Sequence, residues 1–201
     1  KLNELLTAAA PAEEEEEAPA EEGEAAVAPG LTVELAEDTP VSGTVVAGSA
    51  IAELAKFTFT NGDDTDVKVT QLRLKRTGVS DDTTLPALYL FDGYTRLGDE
   101  ATLSSGYASF NVASGIFTVP AGGSKTISVR ADIKSGVSGQ TVGIQLESAS
   151  DVTTNASSVN GEFPLSGNLM SVATATTPAT VTLGTVSPSS AANIDATDNF
   201  V

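Results

Sequence analysis

The chain has 201 residues, 40% of them hydrophobic but only 5% aromatic and none of them Trp, so its core must be built from Val, Ile, Leu and Ala. It contains no Cys and no His, which removes the thiol nucleophile, the imidazole base and the usual nitrogen and sulfur ligands of zinc. The net charge of −17 leaves no broad basic surface with which to neutralise nucleic-acid phosphates, and no apolar run reaches the about 18 residues of a membrane-spanning helix.

Lys1 to Ala10, KLNELLTAAA, sets Leu2, Leu5 and Leu6 at helical spacing and reads as the end of a helix that begins upstream. Two readings stand: the last helix of a preceding wall-binding module, or a frayed terminal helix. Residues 11–30 are made of little besides Glu, Ala, Pro and Gly. Their like charges repel and they have almost nothing to bury, which predicts a disordered, extended acidic linker.

Leu31-Thr-Val-Glu-Leu35 opens the folded region as a short alternating strand, ended by turn residues at Thr39-Pro40 and Ser42-Gly43. Val45 and Val46 are expected to continue along the edge of the same sheet. Leu54 to Thr60 alternates again, with Phe57 and Phe59 inward. Between Val67 and Arg76 the inward positions change parity, from Val67 and Val69 to Leu72 and Leu74. One extra residue at Thr70 or Gln71 accounts for that change and predicts a β-bulge. Past it, Arg73 and Lys75 share the outer face, either to meet an acidic partner or to balance neighbouring carboxylates.

Leu85 to Phe91 is the next predicted strand, with Asp92-Gly93 as its turn and Tyr94 to Leu97 as its hairpin partner. Strands at Tyr107–Val112 and Gly115–Val119 follow. The clearest pattern of all comes after the Gly122-Gly123 turn, where Ile127, Val129, Ala131 and Ile133 alternate with Ser128, Arg130 and Asp132. That is the signature of an inner sandwich strand with one buried and one wet face. Val142, Ile144 and Leu146 define another strand, and Leu169 to Val172 closes the region. About eight to ten short strands, with turns between and no helical pattern past residue 30, predict an all-β, immunoglobulin-like antiparallel β-sandwich behind a disordered acidic linker.

A shift of 148 positions lays Thr32, Val33, Leu35, Pro40 and Ser42 on Thr180, Val181, Leu183, Pro188 and Ser190. The sandwich is therefore expected to span residues 31–175. Residues 176–201 are expected to form a linker and the first strands of a second, truncated copy, so the sequence reads as a piece of a longer polypeptide.

The stretch VPAGGSKTISVRADI resembles a signature of immunoglobulin-like domains in bacterial surface proteins. Together with FTFTNGDDTDVKVTQLRLKRTG, LYLFDG and SGNLMSVATA, it makes residues 31–201 similar to repeat domains of large surface-layer-type proteins from small-genome uncultivated bacteria. The resemblance implies an extracellular, cell-surface location and a non-enzymatic structural role. It further implies lateral self-association, attachment to the cell wall through a region upstream, and calcium at domain junctions.

Asn61, Asp63, Asp64 and Asp66 are the candidate calcium ligands, because Ca²⁺ takes about six to eight hard oxygens and closely spaced acids in a turn can supply several. Asp81, Asp82, Asp99 and Glu100 are candidates to complete the shell. A solvated acidic loop is the alternative. Asn155-Ala-Ser157 fits the N-glycosylation pattern, and the Ser/Thr-rich residues 171–177 are either an O-glycosylated segment or an interdomain linker. A second function class is an adhesin or carbohydrate-binding module, which requires Tyr89, Tyr94 and Tyr107 to share an exposed face. A third is an accessory domain of a secreted enzyme.

Overall fold

Ser124 to Ala131 forms the centre of the first of two sheets, as its alternation predicts. The computed structural model describes residues 28–175. The predicted helix at 1–10, nearly all of the linker at 11–30 and the second copy at 176–201 lie outside the described residues.

The first sheet runs in the order β12 (Val159–Asn160), β1 (Leu31–Leu35), β3 (Ala52–Asn61), β9 (Ser124–Ala131), β5 (Leu88–Asp92) and β6 (Thr95–Arg96). The second runs β11 (Val152–Thr154), β4 (Val67–Thr77), β10 (Thr141–Leu146), β14 (Met170–Ala173) and β2 (Thr44–Val46). Also in it, β7 (Tyr107–Asn111) and β8 (Phe117–Val119) pair with β4, and β13 (Leu165–Ser166) pairs with β10. The result is an all-β, immunoglobulin-like β-sandwich. Its pairings are antiparallel except at two margins, where β1 meets β12 and β2 meets β14 in parallel. Among the described residues the only helical turns are short 3₁₀ segments at Asp82–Thr84 and Ala149–Asp151. No described helix is long and apolar enough to cross a membrane.

Period-two burial builds the core. Phe57 and Phe59 of β3, Leu88 and Leu90 of β5, and Ile127, Val129 and Ala131 of β9 point from the first sheet into Leu72, Leu74, Val142, Ile144 and Leu146 of the second, all fully buried. Phe59 meets Phe117 edge to face, with ring centroids 5.0 Å apart. The outward side of β9 is drier than its sequence suggests. Ser128 is buried between Lys56 and Phe91, its cross-strand neighbours.

The bulge lies at Thr70. Against β11, Gln71 pairs with Thr153 and Val69 with Thr154, so Thr70 is skipped. On the opposite flank Val67 to Val69 pair with β8 and Gln71 to Lys75 with β7, so the same residue marks the exchange of partners. The extra residue restores the inward parity of Leu72 and Leu74, which is why both halves of β4 reach one core.

Three expectations change. Val45 and Val46 do not extend the first sheet: after the turn at Thr39–Gly43 the chain crosses to the second sheet and pairs with β14. Leu85 to Ala87 precede the strand rather than belong to it, because β5 begins at Leu88, after the 3₁₀ turn. The polar stretch before Leu169 holds β11, β12 and β13, two or three residues each and too short to show a period.

The register also fixes where the chain arrives and leaves. Leu31 is opposite Asn61, at one end of β3, and Leu35 is opposite Phe57. At the other end of β3, Ala52 is opposite Ala131. There the Gly48 amide bonds to Ile133 O and the Ala47 amide to Ala173 O, the last residue of β14. The ten residues of β3 thus separate the incoming end from the outgoing end, about 30 Å at the usual rise per residue.

Candidate functional site

Asn61 follows Phe57 and Phe59 in parity and therefore points inward, where it is fully buried. Its Nδ2 donates to Thr65 O at 2.9 Å, Val119 O at 3.1 Å and Pro120 O at 3.1 Å, and its Oδ1 accepts the Asp63 amide at 2.9 Å. The side chain closes its own turn and ties it to the turn before β9. Asp63 reaches across the chain ends. Its Oδ1 accepts the Gly30 amide at 2.8 Å and the Ser157 hydroxyl at 2.7 Å, and its Oδ2 accepts the Ser157 amide at 2.9 Å. These donors, the Ser157 amide foremost, hold the Asp63 carboxyl below the usual carboxylate range.

Gly30 is needed at this junction. Its φ of +95° is in the left-handed region, and a Cβ there would lie 2.2 Å from the Ser158 hydroxyl oxygen. Beside it, the Ser158 hydroxyl and Asn160 Nδ2 both donate to Pro29 O. Asp66 Oδ1 accepts the Ala121 amide at 3.2 Å, and Asp64 is exposed. So N–H and O–H donors face the side-chain oxygens of Asn61, Asp63 and Asp66, each from a different part of the chain. Among the described residues no three acidic side chains converge as a metal-binding group. Asp82 is held by Arg76 at 3.1 Å and by the Gly106 amide at 2.9 Å, and Glu100 by Arg96 at 2.6 Å, so both carboxylates are already engaged. Asn155 lies on the surface with its amide engaged: Oδ1 accepts the Lys68 amide at 2.6 Å and Nδ2 donates to Asp66 O at 3.4 Å.

On the outer face of the second sheet, Arg73 and Lys75 are balanced locally. Arg73 lies 3.5 Å from Asp151 and stacks on the Tyr107 ring at 3.8 Å, while Lys75 pairs with Glu147. The Tyr107 hydroxyl donates to Glu147 at 2.6 Å. Lys75 and then Tyr107 hold the Glu147 carboxyl below its ordinary range, and Glu147 in turn raises Lys75. An acidic partner would have to displace these carboxylates.

The outer face of the first sheet is built the same way. Arg130 covers the Phe91 ring at 4.4 Å and reaches Glu53 at 3.3 Å, and Arg96 covers Tyr89 at 4.6 Å. The Tyr89 hydroxyl donates to Asp132 at 2.9 Å, which pushes the phenol up. The three tyrosines do not share a face. Tyr89 and Tyr107 stand on different sheets under guanidinium groups, and Tyr94 projects alone from the β5–β6 turn, 98% exposed. A groove of about 220 Å³ between Leu97 and Phe110 is smaller than the roughly 300 Å³ at which small-molecule sites begin. A wider depression of about 660 Å³ beside Tyr107 is lined by Arg73, Glu100, Ser104 and Ser109. The parity of Phe57 and Phe59 carries a signal of the burial of Asn61; nothing signals the Asp63–Ser157 tie, because 94 positions separate its partners.

No protein-family model matches the chain, and no curated protein matches it. Among solved structures it is similar to AvmM, which catalyses macrocyclization in alchivemycin A biosynthesis, at 12% identity over 76% of this chain and 92% of that one, with a TM-score of 0.39. It is also similar to the seventh ScaB type I cohesin from Pseudobacteroides cellulosolvens, at 17% identity over 77% of this chain and 98% of that one, with a TM-score of 0.36. Likeness at these scores carries no argument about activity or partners.

Proposed function

We propose that this chain is part of a non-enzymatic structural cell-surface protein, in which sandwiches of this type follow one another end to end and set a distance from the surface. The observation that carries the reading is the placement of the two chain ends. The chain arrives beside Asn61 and leaves beside Ala52, at opposite ends of the ten-residue β3. A unit built this way adds its length to an array instead of folding back on its neighbour.

Three features support it. The strand-and-turn pattern of residues 31–42 recurs at 179–190. No His or Cys is present, and the cationic and carboxylate groups on both sheet faces are mostly paired with one another. Every buried side-chain polar atom among the described residues has a hydrogen-bond partner, as suits a scaffold with no group held in reserve. The carbohydrate-binding alternative gains nothing from the tyrosines, which share no face: Tyr89 and Tyr107 are covered by guanidinium groups and Tyr94 stands alone.

Small-angle X-ray scattering from chains joined in tandem tests the geometry, and antibody labelling of intact cells tests the location. The expected result is a maximum dimension that grows by about 30 Å or more with each added copy, together with surface label. Copies that fold back into a compact particle, or label seen only in lysed cells, would end this reading.

A further inference from the structure

Charge is absent from one margin of this strongly acidic molecule. Residues 39–52, 135–146 and 163–175 contain no Asp, Glu, Lys or Arg. The fold brings the three runs together, since β2 lies in the first, β10 in the second and β14 in the third, and these strands are neighbours. Exposed apolar side chains gather at the same place. Of the six large hydrophobic residues exposed among the described residues, Val46 lies in β2, Val41 and Leu169 lie just before β2 and β14, and Val79 adjoins the start of β10 through its bonds to Thr141. Ile51, just before β3, and Tyr94 lie elsewhere.

Among the described residues the margin ends in a strand with one open edge. β2 is last in its sheet, and its ladder to β14 uses Gly43 O, which accepts the Ser171 amide, and the Ala47 amide, which donates to Ala173 O. Alternation then turns the backbone groups of Val45 towards β14 and those of Thr44 and Val46 away from it. Val46 O is taken by the Ser49 amide and hydroxyl. Among the described residues, Thr44 is left as the one residue of β2 with both its N–H and its C=O open. Edge strands are ordinarily guarded by charged side chains, by Pro or by a bulge, and within Thr44–Val46 there is none of these.

We propose that this uncharged margin is a self-docking surface, where two copies of the chain pair β2 with β2 about a two-fold axis and Thr44 stands opposite Thr44. A second copy is the occupant that the charge distribution selects. Two chains of net charge −17 repel over most of their surface, and the margin is where they can approach without setting like charges together. A two-fold contact buries the same patch on both sides, so the open groups of Thr44 satisfy each other. The proposal gives a site to the lateral self-association that the sequence resemblance implies, and rests on the structural reading above for its biological role.

Sedimentation of the full 201-residue chain over a wide concentration range tests it. The expected behaviour is a reversible monomer–dimer equilibrium strengthened by salt, which screens the repulsion elsewhere. Thr44→Pro removes an N–H that the fold does not use, and Val46→Asp sets an unpaired charge inside the contact, opposite Ser42 of the second copy. Each lowers the association constant by at least about tenfold, while Tyr94→Ser leaves it unchanged. Thermal melting checks that the variants are folded, and Val46→Asp decides the matter if Thr44→Pro is not. A monomer at every concentration, or a dimer that survives both substitutions, overturns the proposal. Either result leaves the tandem spacing seen by scattering untouched, so the two readings fail separately.

Discussion

The two ends of the sandwich are fastened by different chemistry. At the incoming end, side chains add most to the backbone bonds of Leu31 and Gly62: Asp63 binds Gly30 and Ser157, Asn61 closes the turn beneath them, and Ser158 and Asn160 hold Pro29. At the outgoing end the backbone does most of it, through the parallel ladder of β2 on β14 and the amides of Ala47, Gly48 and Ser171, with Asp132 accepting the Ile51 amide beside them. An end held by an ionised carboxylate responds to pH and to single substitutions. An end held by peptide groups responds to neither in the same degree, and its free edge is left open to another strand.

The largest effect that would break this contrast is expected from Asn61→Ala. The substitution leaves Val119 O and Pro120 O facing a void in the interior, and chemical denaturation should show a loss of about 3 kcal/mol. A loss no greater than that of a surface substitution would mean that the turn closes without the amide. Next in size, and of opposite sign, is Ile51→Asn at the outgoing end. Ile51 is β-branched and exposed, yet has a φ of +56°, with its amide donating to Asp132. Asn accepts that conformation more readily, so a gain of about 0.5–1 kcal/mol is expected from the shift in denaturation midpoint. A loss would show that the Ile side chain holds the loop despite its exposure.

The smallest effect sharpens the comparison by pH. The Asp63 carboxyl is depressed in the fold, so its contribution is complete above the ordinary carboxylate value of about 4 and is lost as pH falls through the folded value. Amide exchange followed by NMR should therefore show Gly30 and Ser157 losing protection in acid while Ala47 and Ser171 keep theirs. If all four lose protection together, the ends are not independent and the contrast fails.

Most of the sandwich could be read before any coordinates because its long strands carry a period. The change of parity from Val69 to Leu72 placed a bulge at Thr70 or Gln71, of which the register selects Thr70, and Ile127, Val129 and Ala131 marked an inner strand. Three things escaped. β11 to β13 are too short for a period to show. Val45 and Val46 say that they form a strand but not in which sheet, since either sheet offers an apolar interior. The acids at 63 to 66 suggest oxygen ligands equally for a cation and for N–H donors, and the choice depends on Ser157 and Gly30, which come from elsewhere in the chain. Asn61 escaped as well, set in the turn as a cation ligand, although the inward parity of Phe57 and Phe59 continues to it and carries the signal of its burial.

The partners of β4 bear on how the protein is made. β7, β8, β10 and β11, which flank it, all come later in the sequence, between Tyr107 and Thr154, and β2 has no partner until Met170 to Ala173 are present. A chain emerging from the ribosome, or threaded through a pore amino end first, exposes β1 to β4 with only the β1–β3 pair able to form. The loops to be closed are long and must be closed before any sheet is complete, so folding waits for the last strands and then proceeds slowly. Until that moment the chain stays extended, the form in which a polypeptide can pass through a narrow channel.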